Sequence, residues 1–425
     1  MKTKKCDVLV MIWGMVGRDP QALIPVIYLL KEKYKLKVQV KSIFDYCAID
    51  KLQPKILLTN GCIGSTETYK ITKYAKNRGI HVVSLHAEGM FREKWVKNEF
   101  WGNNIEKKTT VDKWFLWSNR ALNYTLKYYP YLKNVVEYSG ATGFEKYLIF
   151  NKSDISKLNL ISDKYESVIL YTAWNFGVLK NYLDEKMQIV AEKYKKYVIE
   201  CLTKIAVKYP NKLLILKYHP ATNNTQETEI STYFNHFKNV LILKDEISIH
   251  KLILISDVLI SFESSTTIDA WLSGKPTFNL FDGKAKLYSD SSTGIDDIRE
   301  GSIVPETSKQ LICLLDEYFT SGEIKEFNNK SNIRKEVIIN NIGDIKSKPS
   351  IKIANYINDN LNKSNYPKGK LDLKIYFKGW LNRFMYNNKF LPNIPKTSNM
   401  RNYYEPELFD IQYKEFLLKL KDYYK

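Results

Sequence analysis

The sequence predicts an α/β protein of two Rossmann-like domains, followed by a helical, basic C-terminal tail. Three observations predict it. Short apolar, β-branched runs alternate with amphipathic helical stretches, the pattern of parallel strands joined by helices. A polar segment without strong periodicity, NKSDISKLNLISDKYES, interrupts the series, and a second series starts after it. The chain has 425 residues, more than one hydrophobic core comfortably serves.

The first series opens with CDVLVMIW, a continuous buried strand. A glycine-containing loop leads to a helix from about Pro20 to Tyr34. KLKVQVKSI and PKILLTN read as the second and third strands. A helix with apolar positions at Tyr69, Ile71 and Tyr74 runs to Gly79, which suits a C-cap. IHVVSLH, DKWFLWS and NVVEYSG complete a first domain over 1–155. The second domain, 160–345, opens with the strand SVILYTAW and a long helix from Glu185 to Tyr209. KLLILKYHP, NVLILKD and VLISFES follow as strands, then the helix TTIDAWLSG and the strand KPTFNLF. The tail, 346–425, mixes lysine with aromatics in KIYFKGWLNRFMYNNKF. It reads as a helix packing back across the first domain, or as a segment on an anionic membrane with Trp380, Phe384 and Phe390 inserted.

Hydrophobic residues make up 44% of the chain and charged ones 26%, the balance of a soluble globular enzyme. The net charge of +19 admits nucleic acid, an anionic membrane or phosphorylated substrates as partners. Lysine is spread along the whole chain, with no Arg-rich tract and no nucleic-acid-binding signature, so nucleic acid is not expected. The cysteines, Cys6, Cys47, Cys62, Cys201 and Cys313, are odd in number and form no C-x-x-C pair. That suits buried thiols in a reducing compartment, not a disulfide framework or a zinc site. The N-terminus could be read as a signal peptide, but Asp7 interrupts its apolar stretch and Arg18-Asp19-Pro20 stands where a small-residue cleavage site should be. No run reaches the ~18 apolar residues of a membrane-crossing helix. The expected location is cytoplasmic, with the inner face of the cell membrane as the place for a membrane-seated tail.

Ligands of open α/β sheets bind outside the carboxyl ends of the strands, and two such domains in tandem place a cleft between those ends. Strand-end residues are therefore the candidates. Lys217-Tyr218-His219-Pro220 ends an apolar strand, where His219 can donate to a phosphate or sugar oxygen and Lys217 adds charge. The plain alternative is a histidine in a structural turn. Ser264-Ser265-Thr266-Thr267 follows another strand and opens a helix, so hydroxyls and free amides form an anion site there. Simple N-capping is the alternative, though four hydroxyl residues exceed what one cap needs. In LHAEGMF, Glu88 sits at a strand end before Gly89, with His86 two residues back on the same side of a regular strand. A carboxylate there can act as a general base or a nucleophile, or can simply cap the next helix or pair with Arg92 or Lys94. Thr172 and Asn175 in YTAWN end the first strand of the second domain, and Asn60, Gly61 and Ser65 lie in a turn-rich strand end suited to an acceptor. Ser139 to Gly143 reads as a tight loop. No D-x-D motif stands at a strand end, and Asp296-Asp297 lies in a loop-like context, so no metal site is expected.

An acidic residue plus glycine, then His-Pro, then a Ser/Thr pair, in that order, resembles the bacterial sialyltransferases that use CMP-linked sugars. The resemblance implies the two-domain GT-B fold. It also implies that Glu88 is the catalytic carboxylate, that His219 holds the CMP phosphate, and that Ser264 and Ser265 hold it too. Ala87 stands where that family has a second acidic residue. From about residue 50 to 285, HAEG, SGATGFEKY, YTAWNFG, KYHP and SSTTIDAWLSGKP look closer still to bacterial surface carbohydrate biosynthesis proteins. Those are similar to retaining transferases of Kdo and related ulosonic acids, which also use CMP donors.

The resulting expectation is a cofactor-free, metal-independent glycosyltransferase of surface polysaccharide synthesis. It would pass an ulosonic acid of the sialic, pseudaminic, legionaminic or Kdo type from CMP to a glycan or lipid-linked glycan. Glu88 and His86 would be catalytic. Lys217, His219, Pro220, Ser264, Ser265, Thr266, Thr267, Thr172 and Asn175 would bind the donor, and Asn60, Gly61 and Ser65 the acceptor. The alternatives are a transferase of polyol phosphates from CDP-linked donors and a UDP-sugar GT-B enzyme, either a transferase or a 2-epimerase. The 2-epimerases would show Ser-Gly-Gly and paired glutamates where Ser264-Ser265-Thr266-Thr267 and Ile268-Asp269 stand. A nonenzymatic protein that binds nucleotide sugars would have no need of Glu88.

Overall fold

A computed structural model describes the chain apart from residues 1–4, 16, 62–63, 87–88, 90–91, 99, 103, 105, 156–163, 173–184, 219–229, 245–246, 263, 283–295, 365–371 and 388–405. The chain forms two compact units, Met1–Ile149 with Ile339–Lys425, and Phe150–Ile338.

The first unit holds β1 (Val8–Ile12), β2 (Val38–Ser42), β3 (Ile56–Asn60), β4 (His81–Leu85), β5 (Lys113–Leu116) and β6 (Val136–Tyr138). They form one sheet in the order β2-β1-β3-β4-β5-β6, with every pair parallel. The central strands β1, β3 and β4 are buried along their whole length, as apolar runs covered on both faces should be. The edge strand β2 exposes Gln39. The second unit holds β7 (Ser167–Thr172), β8 (Lys212–Lys217), β9 (Val240–Leu243), β10 (Val258–Ser261) and β11 (Thr277–Asn279). Their order is β11-β10-β7-β8-β9, again all parallel. All eleven strands lie inside the segments that the sequence pattern marks.

The helices used below are α1 (Arg18–Glu32), α2 (Cys47–Leu52), α3 (Thr66–Asn77), α4 (Glu185–Lys208), α5 (Thr266–Leu272), α6 (Ser308–Ser321), α7 (Pro349–Asp359), α8 (Leu373–Asn387) and α9 (Pro406–Tyr423). Helix α3 ends as expected, with Gly79 at φ 79°, a conformation that costs glycine nothing. Helix α4 packs against α6 within the second unit.

The tail belongs to the first unit. Helices α7 and α9 pack on α1, and α8 packs on α2. Gln412 Nε2 donates to Met15 O at 2.9 Å, and the Tyr34 hydroxyl meets Asn355 Oδ1. The Phe384 side chain and Phe390 lie outside the described residues. Among the described residues no helix is long and apolar enough to cross a membrane. Cys6, Cys47 and Cys201 are buried and unbridged; Cys313 is exposed, contrary to the expectation of buried thiols, and Cys62 lies outside the described residues.

Candidate functional site

The second unit gathers polar groups along the carboxyl edge of its sheet. Strand register places Asn279, Ser261, Thr172 and Lys217 side by side on β11, β10, β7 and β8. These neighbours come from four separated stretches of chain, and the apolar body of each strand carries its polar last residue to the same line. All four are buried, Lys217 at 8% exposure. A lysine that buried is held by its surroundings at a defined place, as a surface lysine is not.

Beyond this row stands the hydroxyl run. Thr172 Oγ1 lies 3.0 Å from Thr266 Oγ1, which lies 2.7 Å from Ser264 Oγ. Three hydroxyls joined by two hydrogen bonds use two of their three protons and keep one to donate. Thr172 is the buried end and Ser264 the half-buried one. With the bonds running outward, Ser264 presents the remaining proton to a ligand oxygen.

The structure revises three readings of the second unit. The backbone amides at the start of α5 are not free for an anion: Thr266 N donates to Ser264 Oγ at 3.3 Å, Thr267 N to Ser264 O at 3.1 Å, and Ile268 N to Ser265 O at 3.1 Å. Anion binding there rests on hydroxyls. Thr267 is fully buried, with Oγ1 3.1 Å from Ser261 Oγ, so it ties helix to strand and does not face a ligand. Asp296 and Asp297 open a helix, Asp296–Gly301, and do not sit in a loop. Among the described residues no cluster of acidic, histidine or cysteine side chains is placed to hold a metal. His219, Pro220 and Asn175 lie outside the described residues.

The first unit has its own strand-end cluster, at β3 and β4. Asn60 is 1% exposed, and its Nδ2 donates to both the backbone oxygen and Oδ1 of Asp19, each at 3.3 Å. Those two acceptors fix the orientation of the amide. Asn60 Oδ1 is buried with no hydrogen-bond partner among the described residues, an acceptor suited to a ligand hydroxyl. Gly61 donates its amide to Leu85 O at 3.1 Å, and a Cβ there would fall 2.6 Å from Thr68 Oγ1.

Ser65 differs from the expectation. It is the N-cap of α3, accepting from Thr68 N at 3.4 Å and bonding Thr68 Oγ1 at 2.6 Å, so its hydroxyl serves the helix and not an acceptor. Ser65→Ala should therefore cost about 1 kcal/mol of stability, read from urea unfolding, and leave ligand affinity unchanged.

His86 also differs. It is 3% exposed and stacks on Trp114, with ring centroids 5.2 Å apart and planes 12° apart. Phe100 flanks it at 6.4 Å. The ring is packed as a core residue, not presented on the sheet edge as the strand pattern suggests. Glu88 lies outside the described residues. Trp117, absent from the sequence-based candidates, holds the end of this segment: its Nε1 donates to His86 O at 2.7 Å. Its only signal was an indole just past the end of β5.

No family model matches the chain, and no curated protein matches it by sequence. Solved structures match by fold. One is the S. aureus MnaA–UDP complex, at 13% identity, 86% coverage of this chain, 100% of that chain, and a TM-score of 0.55. Another is the UDP-GlcNAc 2-epimerase of Neisseria meningitidis bound to UDP-GlcNAc, at 15% identity, 82% and 99% coverage, and 0.55. A third is the UDP-GlcNAc 2-epimerase of Methanocaldococcus jannaschii, at 15% identity, 78% and 99% coverage, and 0.51. At this identity the likeness is one of fold. The chain has the GT-B fold, two parallel-sheet α/β units, as the alternating pattern predicts. The nucleotides named in these structures are UDP and UDP-GlcNAc, not the CMP-linked donor expected from the motif order.

Proposed function

We propose that this chain is a nucleotide-sugar-dependent GT-B glycosyltransferase whose second unit holds the nucleotide phosphate. The observation that carries this reading is the register row ending in Thr172 and Lys217, continued by the hydroxyl line to Ser264. A buried lysine and a half-buried hydroxyl at the carboxyl edge of a parallel sheet suit a phosphate ester. Positioned donors of this kind stabilise the negative charge left on the departing nucleotide. In the reaction an acceptor hydroxyl oxygen bonds to the anomeric carbon, and the bond from that carbon to the phosphate oxygen breaks. The electron pair leaves with the nucleotide, and a carboxylate takes the acceptor proton. The family resemblance assigns that carboxylate to Glu88.

The fold relatives put a UDP-linked sugar first as donor. The second reading, a CMP-linked ulosonic acid, is favoured by the order of the HAEG, KYHP and SSTT motifs. A 2-epimerase fits less well, because Asp269 is the only carboxylate of α5 and is fully buried.

Thermal unfolding with UDP, CMP, CDP and GDP at equal concentration tests the reading, since a ligand of the folded state raises the midpoint by mass action. UDP should give the largest shift, and Lys217→Met and Ser264→Ala should each weaken it by about tenfold in affinity. A larger shift with CMP would instead install the ulosonic acid reading. No shift with any nucleotide would sink the phosphate site. Inversion at C2 of free UDP-GlcNAc, without acceptor, would replace transfer by epimerisation.

A further inference from the structure

The C-terminal helix α8 has two unlike faces. One is seated on the first unit. Ile375 packs against its hydrophobic core, Asn382 Nδ2 donates to Phe44 O at 3.4 Å, and Gly379 lies so close to α2 that a Cβ would come 2.8 Å from Cys47 N. The opposite face exposes Leu373 (59%), Phe377 (60%), Trp380 (47%) and Leu381 (47%). At 3.6 residues per turn these four fall within an arc of roughly 100°.

The sequence on either side of this stripe carries charge of mostly one sign. Residues 364–390 carry Lys368, Lys370, Lys374, Lys378, Arg383 and Lys389 against the single carboxylate of Asp372. Asp372 is used as a helix cap, accepting from Ile375 N at 3.1 Å. Lys374 is exposed beside the stripe, while Lys378 lies 3.7 Å from Glu67. An apolar arc containing tryptophan and phenylalanine, flanked by lysine and of low net hydrophobicity, is the composition of a helix that lies in a membrane interface.

We infer that the outer face of α8 docks the protein on an anionic lipid bilayer, with Phe377 and Trp380 buried among the acyl chains and Lys374 at the headgroups. Charge decides between this occupant and a second copy of the chain. A two-fold contact would pair this face with itself, and residues 364–390 offer only Asp372 to answer their cations, whereas an anionic bilayer takes up both the apolar arc and the lysine beside it. The inference is independent of the nucleotide reading, which concerns the second unit.

Flotation of the full chain with phosphatidylcholine vesicles, with and without phosphatidylglycerol, tests it. The wild type should float with the anionic vesicles and little with the neutral ones, and less as salt is raised. The double variant Phe377→Ser/Trp380→Ser should lose about tenfold or more of the partitioning. Lys374→Glu should lose less. The unfolding midpoints are measured alongside, and Leu373→Glu and Leu381→Glu probe the same face if the double variant does not fold. Failure to bind anionic vesicles, or binding that the face variants leave intact, overturns the inference. So does a wild-type dimer that the double variant converts to monomer without any vesicle binding.

Discussion

Glu145→Gln should stabilise the protein at pH 8 by on the order of 3–5 kcal/mol and change it little near pH 4.5. Glu145 sits in the SGATGFEKY segment and is fully buried in the first unit. Its Oε1 accepts from Ser350 Oγ at 2.9 Å, and its Oε2 has no hydrogen-bond partner among the described residues. Burial pushes its carboxyl up from 4.5 to about 8; the Ser350 hydrogen bonds, and then Lys348, pull part of the way back. Lys348 is itself turned to the C-terminus, with Nζ donating to Tyr423 O at 2.7 Å. Below pH 4.5 the carboxyl is protonated both folded and unfolded, and its packing contributes in full. Between pH 4.5 and 8 the unfolded chain gives up the proton while the folded one keeps it, so stability falls as pH rises. Above pH 8 the loss is complete. Glutamine mimics the neutral acid at every pH, so the two proteins should match at low pH and diverge upward to pH 8. Urea unfolding followed by tryptophan fluorescence reads this, because six of the eight tryptophans lie in the first unit. A difference that does not change with pH would mean that Glu145 is already ionised in the folded protein.

Gly89→Ala should cost about 3 kcal/mol, from overpacking together with one lost hydrogen bond. A Cβ at Gly89 would fall 2.2 Å from Trp117 Cγ and 2.3 Å from its Cδ2. The indole cannot step aside freely. Its Nε1 is held by His86 O, and its ring meets Phe144 edge-on at 5.6 Å. The measurement is a double-mutant cycle with Trp117→Ala. Trp117 Cβ, which alanine keeps, also lies 2.5 Å from that position, so if the clash is with this side chain the cost of Gly89→Ala should fall in the Trp117→Ala background without vanishing. A full cost in both backgrounds would place the strain in the backbone at Gly89 instead.

Much of the architecture was legible because strands and helices repeat with different periods. VLVMI, ILLTN and HVVSL could be read as buried parallel strands from their unbroken apolar runs, and Gly79 as a helix end from its place after the periodic stretch. The polar strand ends Thr172 and Lys217 were legible as candidates for the same reason. Their register was not, since sheet order brings β7 between β10 and β8 although their sequence positions are far apart. Ser261 went unnoticed because it lies within an apolar run, yet it faces Thr267.

Three of the proposed site residues are engaged within the fold for a shared reason. Ser65, Thr267 and His86 are polar groups whose partners lie on the far side of a turn or in another element: Thr68, Ser261 and Trp114. A hydroxyl or imidazole looks the same in a sequence whether it faces a ligand or a neighbouring helix. The tail shows the same limit. Its amphipathic composition was readable, but only the docking of α8 on α2 determines which of its apolar residues are covered and which are left outside. Local periodicity, carried by neighbours a few residues apart, determined the elements and their apolar faces by itself. Which polar groups are spent on the fold and which remain for chemistry was decided by contacts between distant segments, and those exist only once the sheets have formed.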